Sequence, residues 1–355
     1  MQLLRLANTA NPTSAPYNQF SLGFKKSIEQ TFCSFLRNDI EFDDDIKGYH
    51  ANGSILEMIK LIRKLIKNNK FDLVHIHSGL TGMIFFIAIF PLRPLLLRKT
   101  VFTLHNSWNV LKIRNRLLNF LVMLYAKKIC TCGKASLDSI PWIIKICIRH
   151  KTKAVVNGFD NYRVDRVETN ISGNHFFENT GLKIVCVGAL NRTKNQVALL
   201  KALESFAING EIIFLGDGSN KQTLIDFAET ISNPCKISFK GRVSRDLAIE
   251  HMLQADLSIS LSKGEGLPIA VLESMYAGCF LILSNIPPHL EISPPNRRCL
   301  FVDESNIGLI IEALEYVTKN IEQIRDERNL SKQYSINTFS VDKMLSEYRE
   351  VYDSF

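Results

Sequence analysis

The sequence lacks the usual marks of a metal centre and of a disulfide-stabilised domain. Its eight cysteines include no Cys-x-x-Cys pair and stand apart from any histidine cluster, which argues against a zinc site and a disulfide framework. Several lie inside apolar runs, as Cys186 does in KIVCVGAL and Cys279 in GCFLILS. Such cysteines behave as small buried hydrophobic residues. We therefore predict free thiols in a reducing cytoplasm.

A membrane-spanning segment is also missing. The most apolar run, residues 83–97, contains Pro91, Arg93 and Pro94 and is shorter than the about 20 apolar residues that cross a bilayer. The start, MQLLRLANTANP, has no long apolar core of a signal peptide. The sequence predicts no transmembrane helix and a cytoplasmic location.

Acidic residues are scarce in the first half of the chain. Residues 1–156 hold 23 Lys and Arg against 9 Asp and Glu, a net charge of +14, whereas the remainder carries −6. A basic, apolar-rich half suits an anionic membrane surface or a phosphorylated acceptor. Nucleic acid is the alternative partner, although the sequence contains no recognition motif for it. We predict peripheral contact with the inner face of the plasma membrane and no nucleic-acid partner.

Short apolar segments alternate with longer amphipathic ones along the chain. QLLRLA, FDLVHIH, KTVFTLH and KKICTC are predicted strands, and SILEMIKLIRKLIKN has the apolar spacing of a helix. Strands separated by helices indicate parallel α/β sheets. The pattern stops over residues 157–181, which we interpret as a linker, and restarts at KIVCVGA. We predict two Rossmann-like domains, residues 1–156 and 183–337, that face a central cleft, and an amphipathic tail helix over 340–355.

Two predicted strand-to-helix turns in the second half are candidates for binding an anion. In VGALNRTKN, a helix predicted to start near Thr193 or Lys194 would place Arg192 and Lys194 at its N-terminus, where the helix dipole favours a diphosphate. In LGDGSNKQTL, Gly216 permits a tight turn, but the third glycine of a G-x-G-x-x-G fingerprint is absent. This absence excludes a standard dinucleotide site, and ordinary turns with solvated charges remain the alternative for both segments.

The segment SKGEGLPIAVLESMYAGCF presents two glutamates among small and apolar residues. Glu265 lies in a predicted loop, and Glu273 lies in the helix that we expect to begin at Pro268. A carboxylate accepts both hydroxyls of a vicinal diol such as ribose, and the N–H groups of Gly266 and Leu267 suit a phosphate or a sugar. Two unrelated carboxylates at a helix end are the alternative interpretation.

Histidines follow two predicted strands of the first half. His75 and His77 lie in FDLVHIH, and His105 ends VFTLH. His75 and His77 alternate onto one face of a strand, as a pair of metal ligands would, but the sequence offers no third ligand of comparable placement. We predict no bound metal and no cofactor.

Taken together, these segments resemble the retaining nucleotide-sugar glycosyltransferases of family four, which have the GT-B fold. The resemblance extends along most of the chain and is most specific in the second half. Glu265 and Glu273 match the E-x7-E motif of the family, and VVNGFD at 155–160 resembles its interdomain element. The other matching segments, in the order of the family, are GALNRTKN, FLGDGSNKQTL, FKGRVS, ADLSISLSKGEGLPIAVLESMYAGCFLILSN and NIPPHLEI.

The resemblance implies a metal-independent hexosyl transfer with retention of anomeric configuration. The second domain would bind a nucleotide diphosphate sugar, and the first would bind the acceptor. From the basic first domain and the apolar segment 83–97 we predict that this acceptor is a lipid-linked saccharide, used in assembling a surface polysaccharide such as O-antigen. The final helix would pack back on the first domain. Cations at the diphosphate would stabilise the leaving charge.

The resemblance also implies roles for single residues. Glu273 would hold the ribose, Glu265 would meet the donor sugar, Lys194 would bind the diphosphate, Val243 would offer backbone groups to the base, and His105 would lie beside the sugar. The candidate catalytic residues are thus Glu265 and His105, and the candidate donor-binding residues are Arg192, Lys194, Gly216, Val243, Gly266, Leu267 and Glu273.

Two departures from the family pattern bear on activity. Ala189 stands where the family often has an arginine, and the loop 7–23 has Gly23 in place of the usual glycine pair. Three alternatives to a transferase therefore stay open at this point. They are a catalytically inactive donor-binding homologue, a nucleotide-sugar epimerase on the same fold and a basic nucleic-acid-binding protein.

Overall fold

The structure is a computed structural model that describes residues 1–11, 16–36, 41–90, 92–171, 181–294 and 298–355. The chain divides into two compact units. Unit 1 comprises Met1–Gly158 together with Val341–Phe355, and unit 2 comprises Phe159–Ser340. Residues 12–15 of the glycine-poor loop and residues 172–180 of the predicted linker lie outside the described residues.

The described residues of unit 1 form a seven-stranded sheet in which all strands run parallel. Its order is β3-β2-β1-β4-β5-β6-β7, so the chain changes direction across the sheet between β1 and β4. Ligands of open α/β sheets bind beyond the carboxyl ends of strands at such a switch point. The strands are β1 Gln2–Ala7, β2 Glu29–Ser34, β3 Ile46–His50, β4 Leu73–Ile76, β5 Thr100–Leu104, β6 Lys128–Thr131 and β7 Thr152–Ala154.

Helices cover both faces of this sheet because each buries an apolar stripe against it. In α2, for example, Met58, Ile62, Leu65 and Ile66 point inward, and Ser54 caps the start by accepting the N–H of Glu57. The helices of unit 1 are α1 Leu22–Phe24, α2 Ile55–Asn68, α3 Gly79–Ile89, α4 Ile113–Tyr125, α5 Lys134–Asp138, α6 Trp142–Ile148 and the tail helix, Val341–Asp353. Shorter turns are the π-helical Pro16–Ser21 and the 3-10 segments Pro94–Lys99, Trp108–Val110 and Arg149–Lys151.

The tail helix is fastened to unit 1 by a buried polar network. Arg5 is fully buried and donates to Gln30 (2.7 Å) and to the hydroxyl of Tyr352 (3.2 Å). Its Nη1 also lies 3.0 Å from His75 Nδ1, which must accept because a guanidinium only donates. His75 Nε2 therefore carries the proton and donates to Thr103 Oγ1 at 2.7 Å. This network holds β1, β4 and β5 to the last helix of the chain.

The described residues of unit 2 form a six-stranded parallel sheet with the order β10-β9-β8-β11-β12-β13. The arrangement repeats that of unit 1, and its switch point lies between β8 and β11. The strands are β8 Leu182–Val187, β9 Gly210–Leu215, β10 Lys236–Gly241, β11 Leu257–Ser260, β12 Phe280–Ser284 and β13 Cys299–Val302. The helices are α7 Asn161–Ile171, α8 Gln196–Ser205, α9 Lys221–Thr230, α10 Arg245–Leu253, α11 Ile269–Tyr276, α12 Pro287–Glu291, α13 Ile307–Lys319, α14 Ile321–Asp326 and α15 Lys332–Phe339; the tail helix is α16.

The linker prediction is wrong for its described first half. Residues 161–171 form α7, which buries Val164 and Val167 and packs on α10 and α11. Asp160 caps this helix by accepting the N–H of Arg163 at 3.0 Å. Only two valines, three residues apart, form the apolar pattern of α7, and the residues around them are polar. This pattern is too short to predict a helix, so the helix depends on its packing against α10 and α11.

The prediction that the cysteines are small buried residues is confirmed for seven of them. All eight cysteines lie in the described part of the chain and are free; seven are buried, and Cys147 is exposed. Burial raises the pKa of the Cys186 thiol to about 12, so this thiol stays protonated. Across the described residues, no helix is long and apolar enough to cross a membrane.

Candidate active site

Lys194 and Glu265 meet at the switch point of unit 2. Lys194 follows β8 and Glu265 follows β11, and these two strands are neighbours in the sheet. The Lys194 ammonium lies 2.6 Å from Glu265 Oε1, and the two side chains are only 25% and 11% exposed. The N–H of Lys263 also donates to the carbonyl of Thr193 at 2.8 Å and so fastens the two loops together. The structure therefore brings together two of the residues singled out from the sequence.

The loop after β8 differs in detail from its prediction. Helix α8 begins at Gln196, two to three residues later than expected. The cause is Asn191, whose side-chain oxygen accepts the N–H groups of Thr193 and Lys194, both at 3.0 Å. These two hydrogen bonds close a turn, and such side-chain bonds compete with helix formation. Asn195, the next residue, adopts a left-handed backbone conformation with φ 54°. Arg192 is exposed on this turn.

Gly216 lies where the backbones of three loops converge. Its N–H donates to the carbonyl of Gly241 at 2.8 Å, and its φ is +147°. A Cβ atom at Gly216 would lie 1.9 Å from the carbonyl oxygen of Gly188, so only glycine fits. The Asp217 carboxylate in this loop accepts the adjacent Gly218 N–H and pairs with Lys221.

Glu273 is a buried carboxylate with a buried cationic partner. It lies on α11, and the Nε of Arg245 donates to its Oε1 at 2.8 Å while the Nη2 of Arg245 donates to the same oxygen. Their side chains are 6% and 10% exposed. Burial raises the pKa of Glu273 above its usual value, although the Arg245 guanidinium opposes this shift. Both hydrogen bonds from Arg245 go to Oε1 of Glu273, so Oε2 takes no part in this ion pair.

The remaining predicted donor-site residues flank these two glutamates along the chain. Gly266 and Leu267 are buried in the loop between β11 and α11, and Val243 is half-buried just before α10. Pro268 is the N-cap of α11 and not its first residue, because its ψ of 93° is extended. Ser244 caps α10 by accepting the N–H of Leu247 at 3.2 Å.

Sequence reasoning missed Arg245 and His289. Arg245 is the first residue of α10, directly after the cap residue Ser244. A basic residue at this position is a signal that a carboxylate could pair with it. His289 lies inside the segment NIPPHLEI, is fully buried, and its Nδ1 is 3.0 Å from the hydroxyl of Ser284. Burial lowers its pKa to about 4, and the Glu265 carboxylate opposes this shift, so His289 is neutral beside the site.

In unit 1, His105 lines a cavity of about 200 Å³ beyond the carboxyl ends of β1, β4 and β5. Asn8, His77, Arg114 and Asn119 contribute to the same lining. His77 Nδ1 and His105 Nε2 are 2.9 Å apart, while His77 Nε2 and His105 Nδ1 are buried without a hydrogen-bond partner among the described residues.

This pair of histidines is neutral and has two equivalent proton arrangements. Burial lowers the pKa of His105 to about 4 and that of His77 well below 6.5. If His77 donates across the pair, His105 Nδ1 carries the other proton; if His105 donates, His77 Nε2 carries it. In either case one of the two buried outer nitrogens carries a proton and the other can accept one. Within the described ranges, no group of three His, Cys, Asp or Glu residues could hold a metal ion.

Comparison with known proteins points to glycosyl transfer. The profile of the family described as glycosyl transferases group 1 matches residues 167–335, which is most of unit 2. Unit 2 is thus similar to the group 1 glycosyltransferases. The capsular polysaccharide biosynthesis glycosyltransferase CapH of Staphylococcus aureus is 26% identical over 333 residues, covering 88% of this chain and 87% of CapH. The O-antigen biosynthesis glycosyltransferase WclY of Escherichia coli is 29% identical over 145 residues, 40% of this chain and 38% of WclY.

Solved structures agree with the fold expected of a group 1 glycosyltransferase. Anabaena HepE in complex with UDP is similar with a TM-score of 0.75 and 15% identity, over 100% of both chains. Sucrose-phosphate synthase from Thermosynechococcus elongatus has a TM-score of 0.80 and 11% identity, over 100% of this chain and 99% of that one. The predicted fold class, GT-B with two Rossmann-like α/β units, is confirmed.

Proposed function

We propose that this glycosyltransferase moves a hexosyl group, with retention of configuration, from a nucleotide diphosphate sugar to a lipid-linked saccharide. The observation that carries the donor site is the ion pair of Lys194 and Glu265 at the switch point of unit 2, at 2.6 Å. There Lys194 neutralises the diphosphate, Glu265 meets the sugar, and Glu273 holds the ribose hydroxyls. The reaction needs no metal in this scheme, because the cation of Lys194 stabilises the leaving diphosphate.

Unit 1 supplies the acceptor side of the proposed reaction. The cavity at the ends of β1, β4 and β5 is lined by amide, imidazole and hydroxyl groups that suit sugar hydroxyls. His105 is the catalytic candidate here, as a neutral imidazole. The relatives named for capsular polysaccharide and O-antigen biosynthesis support a role in assembling a cell-surface polysaccharide at the cytoplasmic face of the membrane.

Calorimetric titration of the purified protein with UDP, GDP, ADP and CMP, without metal, tests the donor site. We expect one nucleotide diphosphate to bind selectively and Glu273→Ala to weaken its binding. Absence of binding to all four nucleotides would contradict the donor site and favour the nucleic-acid alternative.

Incubation of the matching labelled sugar nucleotide with a bacterial lipid extract tests the reaction. Label that moves into the organic phase, with its anomeric configuration kept in the product NMR spectrum, supports retaining transfer to a lipid-linked acceptor. An isomerised sugar nucleotide without transfer would indicate the epimerase, and binding without turnover would indicate the inactive homologue.

A further inference from the structure

Helices α4 and α6 of unit 1 carry large apolar side chains on their outer faces. Ile113 is 83% exposed and Trp142 is 69% exposed, and a cluster of such side chains marks an interaction surface, although single ones do not. Six such residues are at least 48% exposed. We call them the α4–α6 surface: Ile113, Leu117 and Leu124 on α4, and Trp142, Ile143 and Ile146 on α6.

The α4–α6 surface is continuous because the two helices pack against each other. The Lys151 ammonium joins their C-terminal ends by donating to the carbonyl of Leu124 at 2.8 Å. The inner faces of the same helices bury Val122, Met123 and Ile148 in the core of unit 1. The outer residues are therefore a second apolar stripe on helices that already have a buried one.

The chain segment that carries this surface is strongly basic. Residues 73–156 contain 13 Lys and Arg and a single acidic residue, Asp138. Asp138 lies 4.0 Å from the Lys145 ammonium, so a cation on α6 accompanies even this carboxylate. Lys127 and Arg149 are exposed at the C-terminal ends of α4 and α6. Apolar side chains ringed by cations are the pattern of an interfacial helix on anionic lipid.

We propose that the α4–α6 surface docks unit 1 onto an anionic lipid bilayer, with its apolar side chains at the acyl boundary and its cations on the phosphate headgroups. The proposal deepens the membrane contact of the proposed function and rests on it. Nucleic acid would engage the cations but leave the six apolar side chains in water, because phosphate contacts bury no apolar area. A second copy of the chain would oppose one positive surface to another.

The intrinsic tryptophan fluorescence of the full chain reports this docking directly. The sequence has two tryptophans; Trp108 is 5% exposed, so the solvent-sensitive signal comes from Trp142. We expect vesicles of equimolar phosphatidylcholine and phosphatidylglycerol to shift the emission to shorter wavelength, and pure phosphatidylcholine vesicles to shift it far less. Trp142→Phe should abolish the shift while nucleotide binding persists.

A matched pair of charge substitutions locates the surface. Ile146 on α6 and Leu330 in unit 2 are each 56% exposed. We expect Ile146→Asp to raise the lipid concentration for half-maximal binding by about tenfold or more. The change removes an apolar side chain that the bilayer would bury and adds a negative charge that the anionic headgroups repel. Leu330→Asp adds the same charge elsewhere and should change the lipid requirement by less than about twofold.

The outcomes separate this proposal from the proposed function. Failure of both vesicle types to bind, or equal effects of Ile146→Asp and Leu330→Asp, would overturn the docking surface. Binding to polyuridylate without a shift of Trp142 emission would overturn it in favour of nucleic acid. Calorimetric titration of the same protein with nucleotide tests the donor site without any membrane, so one proposal can fail while the other stands.

Discussion

The ammonium of Lys194 and the carboxylate of Glu265 lie 2.6 Å apart and join the loops after β8 and β11. The pair is largely shielded from water, so its attraction is stronger than that of a surface ion pair. Glu265 also holds the lysine at the point where a parallel α/β sheet binds its ligands. Because Glu265 already holds the Lys194 side chain in place, that side chain would lose little conformational entropy on binding the diphosphate of the proposed donor.

We expect Lys194→Ala to weaken nucleotide diphosphate binding by about tenfold to a hundredfold, since it removes one charge-assisted contact of about 1.5–3 kcal/mol. The loss should be smaller for the nucleoside monophosphate, which lacks the second phosphate. Calorimetric titration of both nucleotides checks this difference. Lys236→Ala is the matched control, because Lys236 pairs with Glu211 at 3.6 Å at the opposite, amino end of the same sheet. Equal losses in the two variants would contradict the assignment of Lys194.

The raised pKa of Glu273 gives nucleotide binding a distinct dependence on pH. Burial favours the neutral carboxyl, so protonation begins above the ordinary value of 4.5 as the pH falls. Ribose is held best by the ionised form, which accepts two hydroxyl hydrogen bonds. We therefore expect the affinity for nucleotide to fall on acidification while ordinary glutamates are still ionised. Calorimetric titrations with nucleotide between neutral pH and pH 4.5 measure this loss of affinity.

Glu273→Gln is the control for this pH dependence. Its amide oxygen still accepts from Arg245, so the fold of α10 and α11 should persist. The variant should bind nucleotide weakly at neutral pH and show no further loss on mild acidification. If nucleotide affinity fell at the same acidic pH in Glu273→Gln as in the parent, a group other than Glu273 would cause the pH dependence.

The sequence predicted the loops in which Glu265 and Lys194 lie, but not how the side chains of the proposed donor site are paired. The spacing of Glu265 and Glu273 placed one on a loop and the other on the following helix, and the structure has them so. The partner Arg245 precedes Glu273 by 28 residues on a different helix. Such a contact depends on how α10 packs against α11, which local patterns do not encode. His289 was overlooked for the same reason, since its surroundings come from β11 and β12.

The strands beside the switch points were predictable, whereas the edge strands of unit 1 were not. β1, β4, β8 and β11 are mostly buried, and apolar residues recur in each of their sequences. β3, in contrast, lies at the edge of its sheet, and IKGYH buries only Ile46. β7 has three residues, Thr152–Ala154, too few for any period. Sequence patterns therefore predict the strands that flank the switch points, where ligands bind, better than the margins of the sheet.

The hydrogen bond between His77 and His105 predicts that His77 positions the catalytic candidate. In His77→Asn, the amide stands near the former Nδ1 and can still bond His105 Nε2; in His77→Phe this bond is lost. We expect kcat to fall at least about tenfold in His77→Phe and to be largely kept in His77→Asn. The nitrogen NMR shifts of the His105 ring should show a changed tautomer in the Phe variant only.

The pH profile separates this role from a merely structural one. Because the pKa of His105 is lowered to about 4, kcat should stay level as the pH falls through 6.5, the ordinary histidine value. In His77→Phe the ring of His105 loses its hydrogen-bond partner but stays buried. The dependence of kcat on pH should therefore keep its shape, with lower kcat values throughout. Equal kcat values in the Asn and Phe variants would show that His77 fills space and does not position His105.

Gly216 provides a test of the backbone on which the donor site rests. Gly216→Ala would place a methyl group 1.9 Å from the carbonyl oxygen of Gly188, at a φ of +147° that alanine rarely adopts. We expect a loss of about 2 kcal/mol or more in the free energy of unfolding, because the loops after β8 and β9 must separate. Nucleotide binding should weaken with it, since Lys194 is carried by the first of these loops.

The matched control for Gly216→Ala is Gly308→Ala in α13. A Cβ there would meet only the Asn306 side-chain oxygen at 3.3 Å, and alanine favours helix over glycine by about 1 kcal/mol. This variant should be as stable as the parent or more so, with unchanged nucleotide affinity. Urea denaturation and calorimetric titration of both variants give the comparison. If Gly216→Ala matched Gly308→Ala in both measurements, the loops after β8 and β9 could not be in the close contact that fixes Lys194.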